Sequence, residues 1–225
     1  MRLITSLAAA GILICAGALH ASEDYSMLVE DAVEALDSGY HEEWAFTETK
    51  LEDDKLWVGR YDPRRPKKER WSLLSVDGRE PSDDEIEDYV DDQEQPSSSD
   101  DSAVSAMIEP GSVRLTEETD EFWRFEFVPT EDEEAFLENV DSTLKIMKDG
   151  RYLSEIELAA KAPFKPGFGV KFDEFLTRLT FAPVANGGPV APRTVDVKVK
   201  GRAVLVFRFD ETTALAYSDF EHVGN

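Results

Sequence analysis

Only two histidines, His41 and His222, follow residue 21, and neither has a second histidine at metal-ligand spacing. The single cysteine, Cys15, lies in the apolar N-terminal stretch, so no zinc–thiolate site or disulfide is expected in the body of the chain. A serine hydrolase would need one of the two imidazoles beside a nucleophile on a sharp turn, and no Gly-x-Ser-x-Gly occurs. Ser142-Thr143-Leu144-Lys145 has the spacing of a serine–lysine acyl enzyme, but that spacing works on a helix. At the start of a predicted strand, residues three apart point to opposite faces. The acidic runs Asp83–Glu85, Asp91-Asp92 and Glu131–Glu134 lack the glycine-containing loop of a calcium hand; they read as helix starts and solvated faces. No catalytic residue, metal or cofactor is expected, and the chain does not read as an enzyme.

Three groups remain. Arg64, Arg65, Lys67, Lys68 and Arg70 concentrate five cations on a proline-interrupted loop. They read either as a docking point for a phosphate, lipid headgroup or acidic partner, or as a local offset of Asp62 and Glu69. The segment 163–172 alternates phenylalanines with glycines and two lysines; Phe164 and Phe168 read as an apolar flap or membrane contact, or as core residues of a wide turn. Trp44, Phe46, Trp57, Trp71, Trp123, Phe125, Phe127 and Phe172 would line a ligand cavity if a sheet stays half open, and a plain core if it closes.

The elements that must position these residues follow from periodicity. Residues 1–21 carry Arg2, the apolar run Leu3–Ala18 and small residues near Ala21, the pattern of a signal peptide cut near Ala21; a periplasmic or secreted location is expected. Ile14 before Cys15 argues against lipidation there, and nothing in the chain reads as a stable membrane span. With 48 acids against 24 Lys and Arg, the formal net charge is −24, which repels nucleic acid phosphates. Residues 22–225 read as one domain.

Leu28, Val29, Ala32, Val33 and Leu36 have helical spacing and stop at Gly39, which predicts a helix over 26–38. Ser82 and Glu85 form a capping box for a second helix carrying Ile86, Tyr89 and Val90, and Thr130 with Glu133 caps a third. Residues 91–102 contain no apolar side chain and read as an acidic flexible segment. Alternation predicts strands around Trp44–Thr47, Leu56–Tyr61, Arg70–Val76, Ser112–Glu117, Glu121–Val128, Leu144–Lys148, Arg151–Lys161, Val170–Phe181, Thr194–Lys200, Arg202–Asp210 and Ala214–His222. Asp149-Gly150 is the best local hairpin signal. The expected class is α+β: a large curved antiparallel sheet, an open barrel of about ten or eleven strands, with an N-terminal helix and one or two short helices over its concave face.

Arg60-Tyr61-Asp62-Pro63, the run from Arg70 to Pro81 (RWSLLSVDGREP), Lys171–Phe181 and Ala216-Tyr217-Ser218-Asp219-Phe220 resemble pieces of exported proteins with the LolA/LolB-type lipoprotein-carrier fold, and span most of residues 40–222 in order. The resemblance implies a non-enzymatic carrier whose half-barrel shelters a lipid or lipoprotein acyl chain. The acidic segment 91–102 has no counterpart in that pattern, and no individual ligand-binding residue carries over. The alternative reading is an acidic envelope interaction or structural module with a closed core and no ligand.

Overall fold

The computed structural model describes residues 21–37, 42–52, 54–94, 104–130, 134–167, 169–184, 188–204 and 207–224. The leader, Cys15, Gly39, His41 and Phe168 lie outside these residues, as does most of the segment 91–102. Helix α1 spans Ala21–Asp37 and is followed by β1 (Trp44–Glu52), β2 (Lys55–Tyr61), β3 (Trp71–Val76) and helix α2 (Asp83–Glu94). The second half holds β4 (Arg114–Glu118), β5 (Phe122–Glu126), α3 (Glu134–Asn139), β6 (Val140–Met147), β7 (Leu153–Ala160), β8 (Val170–Pro183), β9 (Val190–Ala203) and β10 (Phe207–His222). Among the described residues no helix is long and apolar enough to cross a membrane.

All ten strands join one sheet in the order β3-β2-β1-β10-β9-β8-β7-β6-β5-β4, and every pair is antiparallel. The α+β class and the curved open sheet with an N-terminal helix are therefore as the alternation predicts. One long-range pairing, β1 with β10, joins two runs of hairpins; β3 and β4 are the edges. The Asp149-Gly150 turn links β6 to β7, and Gly150 has φ +79°, a conformation that costs glycine nothing.

Several expected boundaries move: α1 begins at Ala21 instead of Ser26, β6 at Val140 instead of Leu144 and β9 at Val190 instead of Thr194, and two further shifts are the largest. Asp91–Glu94, read as the start of a flexible segment, form the last turn of α2. The predicted strand Arg202–Asp210 is the β9–β10 reversal instead: Arg202 pairs with Arg208, and the chain turns between them. No glycine, proline or asparagine marks that turn, so alternation runs straight through it. Val204 makes the bend at φ +48°, strained for a β-branched residue.

The register puts one continuous row of side chains on the face that the helices cover. Leu115, Phe125, Leu144 and Ile156 are successive partners from β4 to β7, and Ile156, Leu179, Val195 and Leu215 continue the row to β10. Lys50 and Trp57 carry it through β1 to β2. At the β5–β7 end, α1 sets Val29, Ala32, Val33 and Leu36 against Phe125, Leu144, Ile156 and Leu158. At the other end, Tyr89 of α2 packs with Leu73 and Val76 of β3.

Candidate functional site

The eight aromatic residues expected around a cavity share this face and fall into three clusters, two of them joined by Trp71. Phe125 and Phe127 are core residues under α1, with Trp123 and Phe172 packed against them. Phe46 is fully buried with Tyr61 and Ala191, and Trp44 and Trp71 pack around it. Trp57 lies at the α2 end, stacked on Tyr89 at 6.5 Å between ring centroids. Phe46 and Phe125 are thus structural, because neither has surface left for a ligand. Phe164 is also buried, bridged to Phe172 in a small two-residue ladder.

Between the two helix-covered ends lies a strip that none of the clusters absorbs. Val195, Val197 and Val199 of β9 and Leu215 of β10 are half-buried, lie on the helix-covered face and belong to none of the three packed clusters. Three valines at period two on a central strand are ordinary strand chemistry. Each is half-buried and outside the packed clusters, so part of each apolar side chain stays accessible on this face among the described residues.

A carboxylate sits beside this strip. Glu48 of β1 is Tyr217's partner across the β1–β10 pair and is buried. Its Oε1 accepts from the Tyr89 hydroxyl at 3.2 Å and from Gln93 Nε2 at 3.0 Å, both donors on α2. Burial pushes the Glu48 carboxyl above its ordinary value, although the hydrogen bonds from Tyr89, Gln93 and Tyr217 and the Lys50 ammonium all pull the other way. Burial, then the Glu48 charge, raises both tyrosines. The fit is tight: a Cβ on Gly59 would stand 2.0 Å from the Tyr89 hydroxyl oxygen. Nothing in the sequence singled out Glu48, one of 48 acids.

Grooves flank α1 on both sides. One, of about 510 Å³, lies between α1 and the segment preceding β4; Val29, Val33, Ile108 and Val113 form its floor, with Glu30, Glu34 and Glu109 also lining it. The other, of about 470 Å³, is lined by Tyr25, Leu28, Trp123 and Arg151 among others. Both fall within the range of small-molecule sites.

The cation loop 62–70 is partly self-satisfied: Arg64 grips Asp62 through Nε at 2.9 Å and a terminal nitrogen at 2.8 Å, which lowers Asp62 to about 2. Arg65 donates to Ser72, whereas Lys67 and Lys68 make no ion pair among the described residues. Arg70 carries a buried Nε with no hydrogen-bond partner. Ser142 is buried on the helix-covered face, while Lys145 pairs with Glu155 at 3.4 Å on the opposite face, so the two do not meet. His222 lies 3.6 Å from Glu43 at the end of β10. Among the described residues no three of His, Cys, Asp and Glu gather into a metal site.

The class this arrangement defines is an α+β protein with a ten-stranded open antiparallel sheet, with α1 and α2 packed on one face near its two ends. No protein-family model, curated protein or solved structure matches the chain. The carrier-fold resemblance therefore stands on the quoted segments alone.

Proposed function

We propose that this protein is a non-enzymatic, envelope-resident carrier that shelters a lipid-like ligand on the uncovered part of its sheet. The observation that carries the reading is the aliphatic strip Val195, Val197, Val199 and Leu215, half-buried between the helices and outside every packed cluster. An acyl chain laid on it would gain on the order of 0.8 kcal/mol per buried methylene. The α1 groove offers a second apolar surface of suitable size. A leader cut near Ala21, leaving a single domain in the periplasm or outside the cell, belongs to the same reading. So do the acylated ligand as partner and the exclusion of nucleic acid by the net charge of −24.

The test is native mass spectrometry of the protein purified from its own host, with fluorescent fatty-acid uptake by the delipidated protein. Bound lipid and saturable uptake are expected, and Val197→Asp should reduce uptake at least about tenfold, because a charge on the strip would have to be desolvated. No bound lipid together with no uptake would refute the carrier.

A second reading has its own observation. Phe46 and Phe125 are packed to zero or near-zero exposure, as in a closed module that meets a partner through its surface. Lys67 and Lys68 then offer a free docking point for an acidic partner. That reading predicts no lipid in either experiment and salt-sensitive binding to another envelope protein.

A further inference from the structure

The strands β8, β9 and β10 end together in a tip whose composition opposes the rest of the chain. Residues 161–172 and 201–209 contain Lys161, Lys165, Lys171, Arg202 and Arg208 and no acid, and the first acids lie directly behind them at Asp173, Glu174, Asp210 and Glu211. The register sharpens this. Lys171 of β8 is the direct partner of Arg202 of β9, which is the direct partner of Arg208 of β10. Three cations therefore stand side by side across three strands, an arrangement that destabilises a sheet unless anions offset it.

The offset within the protein is incomplete. Asp173 pairs with Lys171 and lies 4.0 Å from Arg202, so one carboxylate serves the row. Lower down, Lys198 and Lys200 are matched one to one by Glu174 and Asp210. Arg208 and Lys165 make no ion pair among the described residues.

Beyond the row, one residue past Arg208 and two past Arg202 toward the tip, the apolar surface is left outside. Val204 is 70% exposed and Phe207 74% exposed, the two most exposed large apolar side chains among the described residues. Val204 is also the strained residue of the turn, held by its N–H donating to the Gly169 carbonyl at 2.6 Å. A strained backbone that presents an aliphatic side chain to water serves no core; such strain persists where function uses it.

We propose that this tip docks the protein end-on to an anionic lipid bilayer, with Val204 and Phe207 entering the interface and Lys171, Arg202 and Arg208 pairing with lipid phosphates. Exposed apolar residues backed by a cation row are the two signals that together give stable surface binding, each being marginal alone. The acidic remainder of the molecule is repelled by the same surface, and this orients the approach. Docking does not depend on the carrier reading, since it concerns association with a surface and not uptake of a lipid.

Vesicle flotation tests it, using phosphatidylcholine vesicles with and without phosphatidylglycerol. Association with the phosphatidylglycerol vesicles alone, weakened by salt, is expected. Arg202→Ser with Arg208→Ser should weaken it about thirtyfold, at about one factor of five per arginine. Phe207→Asp should abolish it with an unchanged far-ultraviolet circular dichroism spectrum, because Phe207 is exposed in the free protein. Lys67→Ser with Lys68→Ser, on the loop by the Phe46–Tyr61 cluster at the opposite end of the strands, should leave it intact. No association with either vesicle, or loss only in the Lys67 and Lys68 variant, would overturn the proposal.

Discussion

Glu48 is a carboxylate buried against α2, where its type ordinarily faces water. Its folded-state proton affinity is raised by burial, so its contribution to stability is fully present below its ordinary value of 4.5 and is lost as pH rises through the raised value. Tyr89, Gln93 and Tyr217 face it from α2 and β10, and Lys50 lies on its own strand. Glu48→Gln keeps an acceptor for Tyr89 and Gln93 and removes the buried charge. The variant should unfold at higher denaturant than the wild type at neutral pH, and the gap should close below 4.5; equal midpoints at neutral pH would mean that the site is wetter than its burial indicates. This residue was illegible beforehand because burial is a property of what packs over a position. The same holds for Gly59, whose missing side chain makes room for the Tyr89 hydroxyl.

Among the elements, α2 shows how local signals and long-range contacts divide the work. Its start was legible: the Ser82 N–H donates to Glu85 at 3.0 Å, and the Glu85 N–H reaches the Ser82 hydroxyl at 3.4 Å, closing the expected capping box. Its end was not. Asp91–Glu94 have no apolar residue, yet Gln93 in that turn donates to Glu48 and ties the helix to the sheet. Ser82→Ala should cost about 1 kcal/mol and should appear first as faster amide exchange in α2, with the β5–β7 core unaffected; uniform loss of protection would show that α2 does not open separately. The β9–β10 reversal escaped for the opposite reason. Its turn is made by a strained valine that the strand pattern absorbs, and only the Arg202–Arg208 pairing reveals it.

For the whole molecule, charge is the dominant fact, and its structural use is selective. The Arg64 guanidinium holds Asp62 low, Arg79 does the same for Glu85, Lys148 for Glu118 and Lys171 for Asp173. These carboxylates have the opposite sign to Glu48: their contribution is present above the ordinary carboxylate range and is lost as pH falls through the lowered values. Glu118 and Asp173 are exposed and Asp62 and Glu85 half-buried at the surface, so salt screens the first two pairs most. Acid unfolding followed by circular dichroism should begin below about pH 4 and become shallower in high salt, whereas the Glu48 difference should persist in salt; an acid limb unmoved by salt would remove the surface pairs from the account. The amino-acid order alone was sufficient for the α+β class, the Asp149-Gly150 hairpin, the shared face of the eight aromatic residues and the opposed faces of Ser142 and Lys145, because a period of two and a turn dipeptide are local facts. The folded arrangement alone divided those aromatics among three clusters, left Val195, Val197, Val199 and Leu215 half-buried outside them and lined up Lys171, Arg202 and Arg208. Burial and cross-strand neighbours arise from pairings between residues far apart in the chain, and no local pattern encodes them.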